Sequence, residues 1–430
     1  MHEQRNWAGN YTYRAARLHR PTTVAQVQDL VAHHPKVKVL GSRHSFNDIA
    51  DTPGDLISLA HFDRVVALDQ DRSTVTVEAG IRYGQLCQYL HRAGYALHNM
   101  ASLPHISVAG ACATATHGSG DGNGNLATAV SALEVITADG ELIVLSREKD
   151  GDRFRGAVVA LGGLGVVTRL TLDIVPAFEL QQDVYENLPL ARLEEHFDAI
   201  TASAYSISLF TDWQDARFTQ VWLKRRITGD AGPEAAPEWF GATRATRPLH
   251  PIASLSAESC TQQLGIPGPW HERLPHFRMD YTPSAGEELQ SEYFVPRRHA
   301  LEALHAIARL RDRVAPLLQI SEVRTIAADD LWMSPCYGQP CVAIHFTWKQ
   351  DWPAVRQVLP LIETSLAPFE ARPHWGKLFT MPPAQLQALY ARLADFQQLL
   401  RSYDPEGKFG NPFLDTYIFG ASEAATPTGR

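Results

Sequence analysis

The chain has 430 residues, enough for two or three domains with sizeable cores. An apolar fraction of 45% and a charged fraction of 20% are those of an ordinary globular protein, and a net charge of −8 with scattered basic residues argues against a nucleic-acid partner or an anionic membrane surface. The opening Met1 to Trp7 carries no apolar leader and nowhere is there an apolar run of membrane-spanning length, so a cytoplasmic, membrane-free protein is expected.

Pro21 to about His34 reads as a helix capped by Thr22 or Thr23, with Val24, Val27, Leu30 and Val31 on one face. Short strands follow at 37–40, 56–59, 65–68 and 74–78, then a helix over 83–92. Strands resume at 130–138, 142–145 and 165–175. Such a strand-rich, helix-punctuated chain reads as α+β. After Pro176 longer alternating segments dominate, at 205–211, 218–223, 289–295, 318–326 and 341–349, with helices near 299–310 and 352–366. This predicts one antiparallel sheet with helices on a single face. The Gly-, Pro- and Ala-rich stretch 229–251 reads as a loop or linker, and Lys224-Arg225-Arg226 as the solvated end of a strand.

The strand near 341–349 puts Val342, Ile344, Phe346 and Trp348 on a core face and Ala343, His345, Thr347 and Lys349 on the other. Glu322 shares a face with Arg324, and Gln290 with Glu292. Such a face is either solvated or a wall that hydrogen-bonds a polyhydroxylated substrate, whose hydroxyls each need a donor and an acceptor. The mixture of acid, base, amide, imidazole and hydroxyl favours the wall.

Two glycine-rich runs stand out. Val39-Leu40-Gly41-Ser42-Arg43-His44-Ser45-Phe46-Asn47 is a strand end followed by a turn that presents a histidine, and Thr114-Ala115-Thr116-His117-Gly118-Ser119-Gly120 is a second such turn. Glycine and serine let a backbone approach a ligand and aim N–H groups at phosphate. Neither run is a dinucleotide fingerprint or a P-loop. Ala109 to Ala115 is a run of small residues suited to a bulky ligand or to a close helix–strand crossing. A hydrolase reading of His117 fails because no G-x-S-x-G elbow exists. His271 and His276 sit five apart with Pro275 between them, so no zincin-type metal site is expected. Five cysteines at no metal-like spacing read as reduced thiols. His374-Trp375-Gly376-Lys377 sets an imidazole and a cation beside a glycine, where positive charge would favour an oxygen losing its proton.

Taken together, these runs with Asn99-Met100-Ala101-Ser102-Leu103-Pro104-His105-Ile106-Ser107-Val108-Ala109-Gly110 and Glu322-Val323-Arg324-Thr325 resemble the vanillyl-alcohol-oxidase (PCMH) type of FAD-dependent oxidoreductase. Within it the likeness is to the alditol oxidases, with the sugar-1,4-lactone oxidases as cousins. The resemblance implies a two-domain α+β fold: an FAD-binding domain at 1–178, a substrate (cap) domain at 179–375 and a C-terminal segment, 376–430, returning to the first domain. It implies FAD joined covalently through His44, with no second bond because Asn99 to Leu103 lacks cysteine. Gly41, Ser42, Arg43, His44, Ser45, Phe46 and Asn47 would hold the pyrophosphate; Ser102, Ser107, Gly110, Thr114, Ala115, Thr116 and His117 would line the cofactor and Val167 its adenine side. Arg43 stands where relatives commonly carry glycine.

The activity so implied is oxidation of the terminal primary alcohol of alditols such as xylitol and sorbitol to the aldose, with O2 reduced to hydrogen peroxide; the alternative is a sugar-1,4-lactone oxidase or dehydrogenase. Ser102, Gln290, Glu322, Arg324 and Thr347 would bind substrate. Lys377 or Arg324 would favour the alkoxide electrostatically and His345 would accept the proton, an assignment that sequence leaves open. Ala101 sits where relatives control oxygen access. The expected partners are a small polyol and O2, with the chain a monomer. A flavin-carrying or sugar-binding protein without turnover is the rival from another class.

Overall fold

The computed structural model describes residues 5–229, 234–281 and 287–420. The elements nearest the N-terminus follow directly from local sequence. Thr23 caps the helix Val24–His33 by accepting from the Gln26 N–H, and Val27 and Val31 turn inward. Its chain neighbours Arg17–His19 and Val37–Leu40 flank Asp55–Ser58 in a three-stranded parallel sheet. A five-stranded antiparallel sheet lies beside it, in the order Val65–Asp69, Thr74–Glu78, Val166–Asp173, Val130–Ile136, Leu142–Ser146. In Val166–Asp173 buried and half-buried residues alternate strictly, the signature of one face on a core. The helices Tyr83–Arg92 and Arg147–Val158 share that core, and so does Leu393–Tyr403 near the chain's end.

The chain leaves this core along Glu179–Pro189, the longest strand, and enters a ten-stranded antiparallel sheet. The order across it runs Glu238–Trp239, Ala242–Arg244, Glu179–Pro189, Arg217–Arg226, Ser206–Thr211, Leu318–Ile326, Cys341–Trp348, Leu289–Pro296, Arg372–Pro373, with Gly268–Pro269 also pairing to Glu179–Pro189. One face carries Val342, Ile344, Phe346 and Trp348, all fully buried against the helices Leu190–Thr201, Ala300–Ala308 and Trp352–Leu366. Each large side chain so buried contributes about 1.5–3 kcal/mol. The helices do lie on a single face, as the alternation predicts. The other face meets the first core, and the site lies between them.

Two expectations need correction in part, and one strand was not anticipated. The stretch 229–251 is mostly loop, as one of its two readings has it, and not a linker: outside residues 230–233, which lie beyond the described part, it carries a short hairpin, Glu238–Trp239 with Ala242–Arg244, on the sheet edge and buries Ala245 and Leu249 against Phe210 and Trp222. Lys224-Arg225-Arg226 is a strand end, as expected, but only Arg226 is exposed. Lys224 is fully buried, Arg225 pairs with Asp183 at 2.6 Å, and Arg226 lies 4.2 Å over the Phe178 ring. The strand Glu179–Pro189 escapes periodicity because its second face holds Gln181 and Asp183, buried beneath Arg225 and Arg244. All five cysteines are free and buried, as expected. Among the described residues no helix is long and apolar enough to cross a membrane.

Gly80 shows how tightly the first core is closed. A Cβ there would meet the Leu59 carbonyl oxygen at 1.9 Å, and the Gly80 N–H donates to Phe62 O at 2.8 Å, so the backbone has no room to retreat. Gly80→Ala is expected to cost about 2–3 kcal/mol, read as a lower melting temperature; an unchanged melting curve would contradict this packing.

Candidate functional site

A cavity of about 600 Å³ runs between the two cores. Its first half is backbone and small side chains. After the strand Val37–Leu40 the chain turns through Gly41 to Phe46, all six lining the cavity. A Cβ on Gly41 or on Gly110 would come within 2.9 Å of Ser107 Oγ, so two strands of backbone approach there as only glycine allows. Ser42 Oγ accepts the Ser107 N–H at 3.0 Å and lies 3.0 Å from His44 Nδ1. Arg43 adopts φ 65°, a left-handed conformation natural to glycine. The Trp7 N–H, donating to Arg43 O at 2.8 Å, holds it there.

His44 stacks on Trp7 with ring centroids 5.5 Å apart. Burial pushes its pKa down to about 3, so the ring is neutral, and its Nε2 is buried without a hydrogen-bond partner among the described residues. A neutral, held imidazole with a spare nitrogen, lining the same cavity as Gly41 and Gly110, fits a dinucleotide cofactor. Ser107, Gly110, Thr114, Thr116, His117 and Val167 also line this half, as do Ala101 and Ser102. Asn47 and Ala115 do not. Asn47 ties the turn to the C-terminal segment through Trp375 O and Lys377 O, at 2.8 and 2.9 Å, and Ala115 is buried in the first core at φ 53°.

The other half is the polar face of the large sheet. Cross-strand register places Gln290 beside Thr347, and His345 between Glu292 on one side and Glu322 on the other. These residues and Arg324 are all buried, so the face is a wall and not a solvated surface. Its hub is Glu292, only 1% exposed. Oε1 accepts from His117 Nε2 at 3.1 Å and Arg324 Nη2 at 2.9 Å; Oε2 accepts from Lys377 Nζ at 2.7 Å. Burial alone would raise the Glu292 pKa, but Lys377, His117 and Arg324 together hold it well below the usual range. Arg324 Nη1 reaches on to Ser102 Oγ at 3.2 Å.

His345 is kept neutral by burial and then by Lys377, its pKa well below the ordinary value, and its Nε2 has no partner among the described residues. Burial also lowers the Lys377 pKa, opposed by Glu292. The Lys377 segment is zipped onto the site: His374 N–H donates to Glu292 O, Leu378 N–H to Gln290 O, and Phe46 N–H to Gly376 O. All seven wall and reacting-centre residues that sequence names, from Ser102 to Lys377, therefore border one cavity. Sequence reasoning leaves out Glu292 as a site residue, although period two sets it beside Gln290; it also leaves out Trp7, and His276, whose Nε2 lies 2.7 Å from Glu322 Oε1. One metal-compatible cluster, His19, His34 and Asp55, exists among the described residues, outside the cavity lining. Arg17 already pairs with both Asp55 oxygens there.

A family model described as an FAD binding domain matches residues 15–146, and one described as D-arabinono-1,4-lactone oxidase matches 285–417. The chain is 51% identical to an alditol oxidase from a Streptomyces species over 96% of its own length and 99% of that protein's. It is 28% identical to an L-gulono-1,4-lactone dehydrogenase of Mycobacterium tuberculosis, covering 95% of this chain and 97% of the other. It is 27% identical to L-gulonolactone oxidase of Mus musculus, covering 96% and 98%. Among solved structures, cholesterol oxidase from B. sterolicum superposes with a TM-score of 0.77 at 14% identity, covering 96% of each chain, which shows a shared fold.

Glu292→Gln is expected to destabilise the protein by about 3–5 kcal/mol, because Lys377 stays buried without the carboxylate it pairs with and Arg324 keeps only Glu322. The linkage sign follows from the depressed carboxyl pKa: Glu292 contributes stability that is present above its unfolded value near 4.5 and is lost as pH falls through the folded one. Thermal unfolding across pH 3–7 reads both effects; equal melting temperatures in wild type and variant would contradict the hub.

Proposed function

This chain belongs to the alditol-oxidase family of FAD-dependent oxidoreductases, and from that premise we propose that it oxidises the terminal primary alcohol of a linear polyol to the aldose, with O2 as the final acceptor. The observation that carries this reading is the buried wall around neutral His345, which offers carboxylate, guanidinium, amide and hydroxyl groups to the same cavity that His44 borders. Polyols match such a wall hydroxyl by hydroxyl.

The turn Gly41 to Phe46, with Ser107, Gly110, Thr114, Thr116, His117 and Val167, would hold FAD, joined covalently through the His44 imidazole. The chemistry that bound FAD supplies is acceptance of a hydride from the alcohol carbon, with O2 converted to hydrogen peroxide. Everything else falls to the chain. Ser102, Gln290, Glu322, Arg324 and Thr347 bind and orient the substrate hydroxyls. Lys377, held by Glu292, sets positive charge at the reacting oxygen and lowers the cost of alkoxide character by several kcal/mol. His345 takes the hydroxyl proton at its free nitrogen as the carbon–oxygen double bond forms. An already neutral imidazole is available for this at pH 7. Ala101, at the cavity wall, governs how O2 enters.

A sugar-1,4-lactone is the second reading, favoured by the lactone-oxidase match over the wall strands. A peroxide-coupled assay separates the two: xylitol or sorbitol is expected to be turned over in preference to galactono-1,4-lactone, and the reverse order would overturn the polyol assignment. Lys377→Ala and Glu322→Ala should each lower kcat/KM by about a hundredfold, or roughly 2.7 kcal/mol; retained activity would make the wall a bystander. His44→Ala should yield protein whose flavin is extracted by acid or SDS, whereas flavin that stays attached would place the linkage elsewhere.

A further inference from the structure

The polar wall does not end at Glu322. Gln220 pairs with Phe210, and Phe210 with Glu322, so Gln220, Trp222 and Lys224 present the same face of the sheet two strands away. Lys224 is 1% exposed. Its Nζ donates to the Leu274 and Pro275 carbonyls and lies 3.1 Å from His276 Nδ1. An ammonium has three protons to give and nothing to accept with. Two carbonyls and one ring nitrogen use all three, so Nδ1 accepts and the ring's single proton sits on Nε2. That proton points at Glu322 Oε1, 2.7 Å away.

The charge states support this arrangement. Burial pushes the His276 pKa down to about 4, leaving it neutral, and Arg324 with His276 holds Glu322 ionised against burial. Burial lowers Lys224, to about 7, against the pull of Glu322, so the ammonium that directs the ring is the form held below that pH, where the tautomer is read. The backbone of the same loop reaches a second substrate-binding candidate: the His276 and Phe277 N–H groups both donate to Ser102 O, at 3.1 and 3.3 Å. Phe210, Trp222 and Phe277 pack edge-on around the His276 ring and fix its plane.

We propose that Lys224 and His276 are positioning residues that set substrate specificity: Lys224 selects the His276 tautomer, and His276 locks Glu322 as an acceptor whose remaining oxygen receives a hydroxyl of an open-chain polyol. The proposal rests on the polyol reading above. Neither residue touches the reacting carbon, so their loss weakens binding and leaves the chemical step in place.

The test compares holoenzymes matched by visible flavin absorbance, with xylitol as probe. K224M and H276F should each raise KM by about tenfold or more while kcat stays within about threefold, the cost of one charge-assisted hydrogen bond. H276Q, whose amide reaches the position of Nε2, should restore a near-native KM. H276F added to E322Q should cost nothing further, since both act through one carboxylate. Unchanged KM in K224M and H276F, H276Q no better than H276F, or additive losses would each overturn the relay. Nitrogen-15 NMR of histidine-labelled holoenzyme reads the relay without substrate: the His276 signal, assigned by its loss in H276Q, should show Nε2–H in wild type and change in K224M. An Nδ1–H tautomer in wild type overturns the proposal. Wild type that turns over no alditol would sink the polyol reading, while the tautomer still decides the relay.

Discussion

The Glu292 carboxylate is the constraint on which the site depends. Its three partners come from distant parts of the chain: His117 from a turn of the first core, Arg324 from the strand on the far side of Cys341–Trp348, Lys377 from the segment that leaves the sheet. Burying a carboxylate and two strong bases separately would cost several kcal/mol each; burying them together, in direct contact, offsets most of that. The two cores are therefore registered against each other by charge where the chemistry happens. One carboxylate sets where Lys377 sits, keeps Arg324 within reach of Ser102, and leaves His345 as the neutral ring between two acids.

The two faces of the large sheet show what a buried surface needs in order to be polar. Against the helices, the face is Val, Ile, Phe and Trp, and packing alone accounts for it. On the cavity side the charged groups are paired across the fold, with turns, loops and strands two apart, and His345 Nε2 is left without a hydrogen-bond partner among the described residues, free for a hydroxyl in the cavity. A solvent-facing sheet has no reason to bury such groups. The same logic applies at the other end of the cavity, where His44, its Nε2 without a partner among the described residues, lines the same space as Gly41 and Gly110.

Much of this was legible in the sequence because it is local. Leu318–Ile326 and Trp352–Leu366 match their predicted limits, as do Thr74–Glu78 and Tyr83–Arg92. Strict period-two alternation gave the polar face of Cys341–Trp348 before any partner strand was known. What stayed hidden is nonlocal. Nothing in 289–296 says that Glu292 will meet Lys377, eighty-five residues on. His276 looks idle once a metal site is excluded, and Lys224 reads as a surface charge, until the fold sets them 3.1 Å apart. Glu179–Pro189 was invisible for a related reason: its buried Asp183 breaks the apolar alternation, and only the pairing with Arg225 and Arg244 makes that burial affordable.

The most direct test of the central claim, that this wall aligns the first carbon of a polyol for loss of hydride, is anaerobic mixing of the holoenzyme with xylitol carrying deuterium at C1. The account predicts that the flavin absorbance bleaches in a single phase, and more slowly than with unlabelled xylitol. Flavin that stays oxidised with every alditol, or bleaching indifferent to deuterium at C1 under conditions where reduction itself is rate-limiting, would contradict it.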